Sequence, residues 1–205
     1  RESVNKWANT SNLIDVIQGY NAEGGDFASG SEIVVLGWDP ADTHTSNFWE
    51  ELASVELGSA GDSLSSGTIT AKKYLWFQYF IKKSGTINSL IRFNSDSGSN
   101  YASRQSIDGG AENVEASISH LDFPGHAHVA NTFGNVFVIN NSAKEKLVIG
   151  HTIDGNTAGA GTAPKRTEQV AKWANTSAQI TDITITQSST GDYDTGSFLK
   201  VWGSN

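Results

Sequence analysis

Short runs of alternating apolar and polar residues dominate the pattern along the chain. Within Val114 to His120, the apolar residues Val114, Ala116 and Ile118 alternate with polar ones, and Ile183 and Ile185 also lie between polar neighbours. A period of two is typical of a β-strand with one buried face. The run Tyr74 to Ile81 is instead almost wholly apolar and aromatic, and it is too short for a typical core helix. We predict that it is a central strand buried on both faces.

Residues that favour turns separate these runs. Ser59 to Ser66 is rich in Gly and Ser and is predicted to be a loop, followed by a short strand at Thr68 to Thr70. Ile87 to Phe93 is predicted to be the antiparallel neighbour of the Tyr74 to Ile81 strand. Asp108-Gly109-Gly110 is typical of a hairpin turn.

The remaining predicted strands are short and rich in β-forming residues. They are the second half of Phe48–Leu57, then Tyr101–Ile107, Asn135–Ile139, Lys146–Ile153 and Gln169–Trp173. About ten short strands, regular turns and no convincing amphipathic helix predict an all-β protein, an antiparallel β-sandwich of jelly-roll type.

One stretch of the chain occurs twice. Residues 2–37 and 168–203 align without a gap at a constant offset, share the hexapeptide KWANTS (Lys6 to Ser11, Lys172 to Ser177) and are identical at 16 of 36 positions. Such self-similarity indicates duplication. Each copy is predicted to form a strand pair, which needs further strands to bury its apolar face.

The duplication predicts the domain organisation. Residues 1–37 are expected to be a strand pair that ends a preceding copy of the domain, 38–47 a connector, and 48–205 the β-sandwich. In the competing interpretation, both strand pairs pack in one domain as pseudo-twofold mates. Because the chain lacks Met, we expect it to be a fragment or to have lost its N-terminus.

Composition narrows the classes of function. The net charge is −8, and no cluster of five basic residues suggests nucleic-acid binding. No apolar stretch is long enough for a membrane-spanning helix, and no signal peptide is recognisable. With no Cys, the fold cannot rely on disulfides or thiolate chemistry.

An ordered set of motifs resembles a known family. The set comprises Trp49 to Leu57, the Leu75-x-Phe77-x-Tyr79 strand, Ile91 to Tyr101 (IRFNSDSGSNY), and the closing segment from Trp173 to Val201-Trp202-Gly203. It resembles structural proteins of tailed-phage virions, found in tail fibres, tail tips and head surfaces. The resemblance covers about residues 48–203.

The resemblance implies a non-enzymatic virion structural protein, exposed on the particle and made in the host cytoplasm. Its partners would be itself, as a homo-oligomer, and other virion proteins. A carbohydrate- or receptor-binding module that recognises a host-surface glycan is the alternative, and a glycan-degrading enzyme is a third, weaker hypothesis. No nucleic-acid partner and no membrane insertion are expected.

Two clusters are weak candidates for metal ligands. His126 and His128, two apart in an extended segment, would point the same way, as a metal site needs. Asn94, Asp96 and Asn100 supply oxygens at positions that resemble the start of a calcium loop, although the glycine is shifted and the closing Glu is missing. The alternatives are an exposed loop and a turn stabilised by its own side chains. We expect no cofactor, with Ca²⁺ as the weaker possibility.

No arrangement of residues predicts catalysis. The chain has no Gly-x-Ser-x-Gly or His-Glu-x-x-His motif, and Glu50 and Glu51 would face opposite sides of a strand. Four aromatic residues are candidate platforms for stacking on a sugar, although most aromatic residues of a sandwich lie in its core. They are Tyr20, Trp38, Trp49 and Tyr193.

Overall fold

The computed structural model describes residues 15–22, 24–35, 48–83, 88–123, 131–155, 159–188 and 191–205. Within these ranges all regular secondary structure is β, and no helix could span a membrane. The chain divides into two units, Arg1–Thr45 and Ser46–Asn205.

The second unit contains twelve described strands. They are β1 (Glu50–Glu56), β2 (Ser63–Ser65), β3 (Tyr74–Ile81), β4 (Ser89–Phe93), β5 (Tyr101–Ile107), β6 (Asn113–Ile118), β7 (Leu121–Asp122), β8 (Asn131–Ile139), β9 (Lys146–Gly155), β10 (Lys165–Trp173), β11 (Ile183–Gln187) and β12 (Phe198–Ser204).

The strands form two antiparallel sheets. The larger has eight strands in the order β1-β12-β3-β8-β9-β10-β5-β6, and the smaller has four in the order β2-β11-β4-β7. Without the β5–β6 and β9–β10 pairs, two four-stranded sheets remain, and β1 to β4 alternate between them. This is the jelly-roll arrangement, so the predicted fold class is confirmed. The two inserted pairs widen one sheet.

The core lies between the two sheets. Leu75, Phe77, Tyr79 and Ile81 of β3 are fully buried, because every second side chain of a strand faces the same side. Ile91 and Phe93 of β4 and Ile183 and Ile185 of β11 complete the core from the smaller sheet.

Two glycines of the larger sheet make room for aromatic rings. A Cβ at Gly134 would lie 2.2 Å from the ring of Tyr79, and one at Gly150 would lie 2.5 Å from the ring of Phe123. Glycine within a strand often marks such a close approach. The two rings therefore pack directly against the backbone of β8 and β9.

Three details of the strand assignment were wrong. The neighbours of β3 are β12 and β8, whereas β4, predicted beside it, belongs to the smaller sheet. Thr68–Thr70 forms no strand, and the strand lies instead within the predicted loop, at Ser63–Ser65. The other face of β3 is only half-buried rather than buried. The sheet to which β4 belongs depends on its pairing partner, which local sequence does not specify.

The first unit is described at residues 15–22 and 24–35, which form no strand. The strand pair predicted for residues 1–37 is therefore not formed in these described residues. A strand pair is not stable by itself, because it needs further strands or another layer to pack against. The connector predicted at 38–47 lies outside the described residues.

Candidate functional site

The side of the eight-stranded sheet that faces away from the core, here called the outer face, carries large apolar side chains. In β9 the inward positions Val148, Gly150 and Thr152 are buried, while the outward positions Leu147 and Ile149 are more than half exposed. An outward position in a solvated sheet is usually polar. The outer face departs from that rule over several neighbouring strands.

Strand register aligns these side chains into rows that cross the sheet. The Trp76 row consists of Trp202, Trp76, Phe137, Ile149 and Val170, each opposite the next on strands β12, β3, β8, β9 and β10. Phe137 is 45% exposed and Ile149 56% exposed. The row is therefore a continuous apolar stripe accessible to a partner.

A second stripe runs parallel to the first. The Phe80 row consists of Phe198, Phe80, Phe133 and Ile153. The rings of Phe80 and Phe198 are 5.9 Å apart. A shorter apolar row lies next to the Trp76 row, on the side away from the Phe80 row. It consists of Tyr74, Ile139 and Leu147. Three apolar rows thus lie on one face.

A polar row separates the two long stripes. The Asn135 row consists of Lys200, Gln78, Asn135, His151 and Glu168 in register. Asn135 Oδ1 accepts hydrogen bonds from Trp76 Nε1 at 2.6 Å and from Gln78 Nε2 at 3.2 Å. The row has a cation at one end and a carboxylate at the other.

Aromatic rings cluster where the Trp76 row approaches the edge strand β1. Trp76 stacks on Trp202 at 4.6 Å and on Phe137 at 5.7 Å between ring centroids. Trp49 packs edge-on against Trp76 at 5.9 Å, and Phe48 packs against Trp49 at 5.4 Å. These contacts hold the indole rings in fixed orientations.

Of the four aromatic residues predicted as platforms, Trp49 lies at the outer face of the second unit. Tyr193 is fully buried, and its hydroxyl donates to Ser89 Oγ, so neither of its ring faces can stack on a ligand. Tyr20 is exposed but lies in the first unit. Trp38 lies outside the described residues.

The Asn94–Asn100 loop is held together by its own side chains. Both carboxylate oxygens of Asp96 accept hydrogen bonds, from Trp173 Nε1 at 2.7 Å, from Gly98 N at 2.9 Å and from the side-chain nitrogen of Asn100. Asn94 turns away from the loop, and its Oδ1 accepts from Thr181 N. This geometry favours the alternative of a turn stabilised by its own side chains.

The electrostatics of Asp96 agree with that role. Partial burial opposes its ionisation, but hydrogen bonds from Trp173, Gly98 and Asn100 together hold its pKa below the usual value. Among the described residues no cluster of three His, Asp or Glu side chains could hold a metal ion. His126 and His128 lie outside the described residues, so the site predicted there stays a prediction.

The outer face was missed by sequence reasoning, although a signal existed. Lys146 to Ile153 was predicted to be a strand, but its outward Leu147 and Ile149 were not recognised as a separate surface. Rows form only when strands pair in register, and the sequence of one strand does not give that register.

The comparisons with known proteins add no function to this surface. Neither family models, nor curated proteins, nor solved structures gave a match to the chain. The family resembled by the sequence motifs therefore stays a prediction.

Proposed function

We propose that the protein is a non-enzymatic structural protein that assembles with copies of itself through the outer face. The observation that supports this proposal is the set of apolar rows on that face. Contiguous exposed apolar surface beyond a few hundred Å² is rare on monomeric proteins and marks interaction sites. No catalytic residue is assigned.

The composition of the rows favours a protein partner over a sugar. The centre of the face carries branched aliphatic side chains with about half of their surface exposed, and they are Leu147, Ile149, Ile153 and Val170. They have no flat ring on which a sugar could stack, whereas they pack well against another apolar protein surface. The centre of the face thus suits protein packing.

The Asn135 row favours a second copy of this chain as the partner. Lys200 lies on β12 and Glu168 on β10, on opposite sides of Asn135. A two-fold axis parallel to the strands and passing over Asn135 would set each Lys200 over Glu168 of the other copy. A surface that is complementary to itself in this way is what an isologous dimer needs.

The size of the face is compatible with such an interface. Strands lie about 4.8 Å apart, and residues on one face of a strand repeat about every 6.8 Å. The rows cross at most five strands, and five strands and four rows cover on the order of 650 Å². A standard interface buries roughly 800 Å² per partner.

The place of this assembly in a phage particle rests on the sequence resemblance alone. A virion component at a fibre, tip or head surface would use the outer face for contacts with itself and with other virion proteins. Stabilisation by many copies of one interface is typical of such particles.

Sedimentation velocity over a range of concentrations tests self-assembly. Ile149→Asp places a carboxylate in the centre of the Trp76 row and should weaken association at least tenfold, with the circular dichroism spectrum unchanged. Thr186→Asp, on the solvent side of the smaller sheet, is the matched control and should associate like wild type. A wild-type protein that stays monomeric throughout, or equal association of both variants, would contradict the proposal.

A charge exchange tests the two-fold arrangement. Lys200→Glu and Glu168→Lys should each weaken association, because each places like charges together in the dimer. The double variant should recover most of the loss, since the opposite charges face each other again. Additive losses in the double variant would exclude this axis.

Carbohydrate binding is the second candidate, and the aromatic cluster favours it. Trp202 stacks on Trp76, which donates to Asn135 beside Gln78, so the cluster combines aromatic rings with hydrogen-bonding amides, as sugar recognition needs. Strong binding of monomeric wild type to a glycan array, lost in Trp76→Ala and retained in Ile149→Asp, would favour this function over self-assembly.

A further inference from the structure

The two copies of the repeated sequence have opposite environments. Ile183, Tyr193, Leu199 and Val201 of the C-terminal copy are fully buried in the sandwich. Their counterparts in the N-terminal copy are also apolar but are all more than half exposed, and they are Ile17, Phe27, Ile33 and Val35. The N-terminal copy therefore carries a core-facing pattern without a core.

The N-terminal copy nevertheless keeps the local backbone geometry of the C-terminal copy. Ser31 N donates to Ala28 O at 3.0 Å, as Ser197 N donates to Asp194 O at 3.1 Å. Gly30 has φ +87° and Gly196 φ +84°, both in the left-handed region. The same turn thus forms in both copies, because it depends on its own four residues.

Two identities between the copies fall at positions that contact neighbouring strands of the sandwich. A Cβ at Gly203 would lie 2.6 Å from Leu52 of β1, so glycine is needed there to let β1 pack. Ser197 Oγ accepts a hydrogen bond from Lys82 N, which joins the start of β12 to the end of β3. The N-terminal copy has Gly37 and Ser31 at these positions.

We propose that residues 15–35 are a second set of closing strands, which completes a sandwich of this same fold by occupying its β11 and β12 positions. The partner is a sandwich of this architecture in which those two positions are open. In this partner, the strand in the β11 position would lie between the counterparts of β2 and β4. The strand in the β12 position would lie between the counterparts of β1 and β3. The proposal does not depend on the function of the outer face.

One position indicates how the partner differs from the sandwich seen here. Gly19 stands where the C-terminal copy has the fully buried Ile185. A sandwich closed by residues 15–35 must fill that space with a larger side chain of its own, since interiors are close-packed. The partner shares the fold and not every core residue.

The full chain can be made to test this fit. Leu199→Asp together with Val201→Asp places two carboxylates in the core and disables the chain's own β12, leaving an open position. The variant should retain cooperative thermal unfolding and slow amide exchange in β1 and β3, because residues 32–35 replace the first half of β12.

Two adjacent valines give a matched control. In the C-terminal copy the counterpart of Val35 is the buried Val201, and that of Val34 is the outward Lys200. In the disabled chain, Val35→Asp should abolish cooperative unfolding, whereas Val34→Asp should leave it intact. In the otherwise wild-type chain neither substitution should shift the transition.

Three results would overturn the proposal. They are a disabled chain that is unfolded whatever its N-terminal sequence, equal effects of Val34→Asp and Val35→Asp, or exchange protection confined to segments that do not contact β12. Sedimentation of the disabled chain separates the two supporting outcomes. A folded monomer shows closure within one chain, and a folded dimer shows closure between chains.

Discussion

At the scale of single residues, Asp96 links parts of the sandwich that are far apart in sequence. Its carboxylate accepts from Trp173 on β10, and its backbone oxygen accepts from the hydroxyl of Tyr101 on β5. Trp173 is fully buried, so its indole N–H needs an acceptor. The loop therefore anchors a core tryptophan rather than standing apart from the core.

Asp96→Ala should destabilise the fold by about 2–3 kcal/mol, because it leaves a buried indole N–H and a loop amide without their charged acceptor. Urea unfolding at neutral pH measures the loss. Glu112→Gln, which affects only the exposed ion pair with Arg104, is the control and should cost about 0.5 kcal/mol or less.

The pH dependence gives a second readout for the same residue. The pKa of Asp96 is lower in the folded protein, so its contribution is present above the ordinary carboxyl pKa and is lost as the pH falls through the folded value. Asp96→Asn should remove this part of the acid sensitivity. An unchanged acid transition in Asp96→Asn would contradict this assignment.

At the scale of elements, β3 shows how one strand serves two purposes. Its inward side chains, such as Phe77, fill the core, while its outward ones, Trp76 and Phe80, belong to two of the apolar rows. Stability and association should therefore respond to different positions of the same strand.

Phe77→Ala should cost about 3–5 kcal/mol of stability, because it leaves a cavity in a fully buried site. Phe80→Ala, on the same strand, should cost about 1 kcal/mol and should mainly weaken association. Chemical denaturation and sedimentation of both variants measure the two effects. Equal losses of stability would show that the outer face is part of a closed core.

Elements also show what the sequence could predict. The apolar run at Tyr74–Ile81 has the bounds of β3, and Asp108 and Gly109 both adopt positive φ in the predicted hairpin turn. The sheet to which β4 belongs was not predictable, because a jelly roll sends successive strands to opposite sheets and pairs strands distant in sequence. Predicting the outer face would have required the register of several strands at once.

At the scale of the whole molecule, buried ionisable groups set the response to alkaline pH. Burial lowers the pKa of Lys83 to about 8, despite the opposing effect of the carboxylates of Asp154 and Asp122. Burial raises the pKa of Tyr101 to about 12 and also raises those of Tyr79 and Tyr193. As the pH rises, the lysine makes the folded state more stable and the tyrosines make it less stable.

The stability should rise between pH 8 and about pH 10 and fall above it. In the lower window the unfolded chain holds the Lys83 proton and the folded chain releases it, so a higher pH favours the folded state. Above the ordinary tyrosine pKa of 10.0 the unfolded chain ionises first, and the contribution of Tyr101 is lost towards pH 12. Urea unfolding midpoints from pH 7 to pH 11 measure the rise and the fall in stability. Lys83→Met should abolish the rise. A rise that persists in Lys83→Met would contradict the assignment.

The adjacency of β1 and β12 has a consequence for how such sandwiches can be concatenated. Glu50, at the entrance of the sandwich, lies directly opposite Gly203, at its exit. In a tandem array, the linkers before and after each sandwich would therefore attach at the same edge of that sandwich. The same closeness makes the sandwich suitable for circular permutation, with new termini in a surface turn.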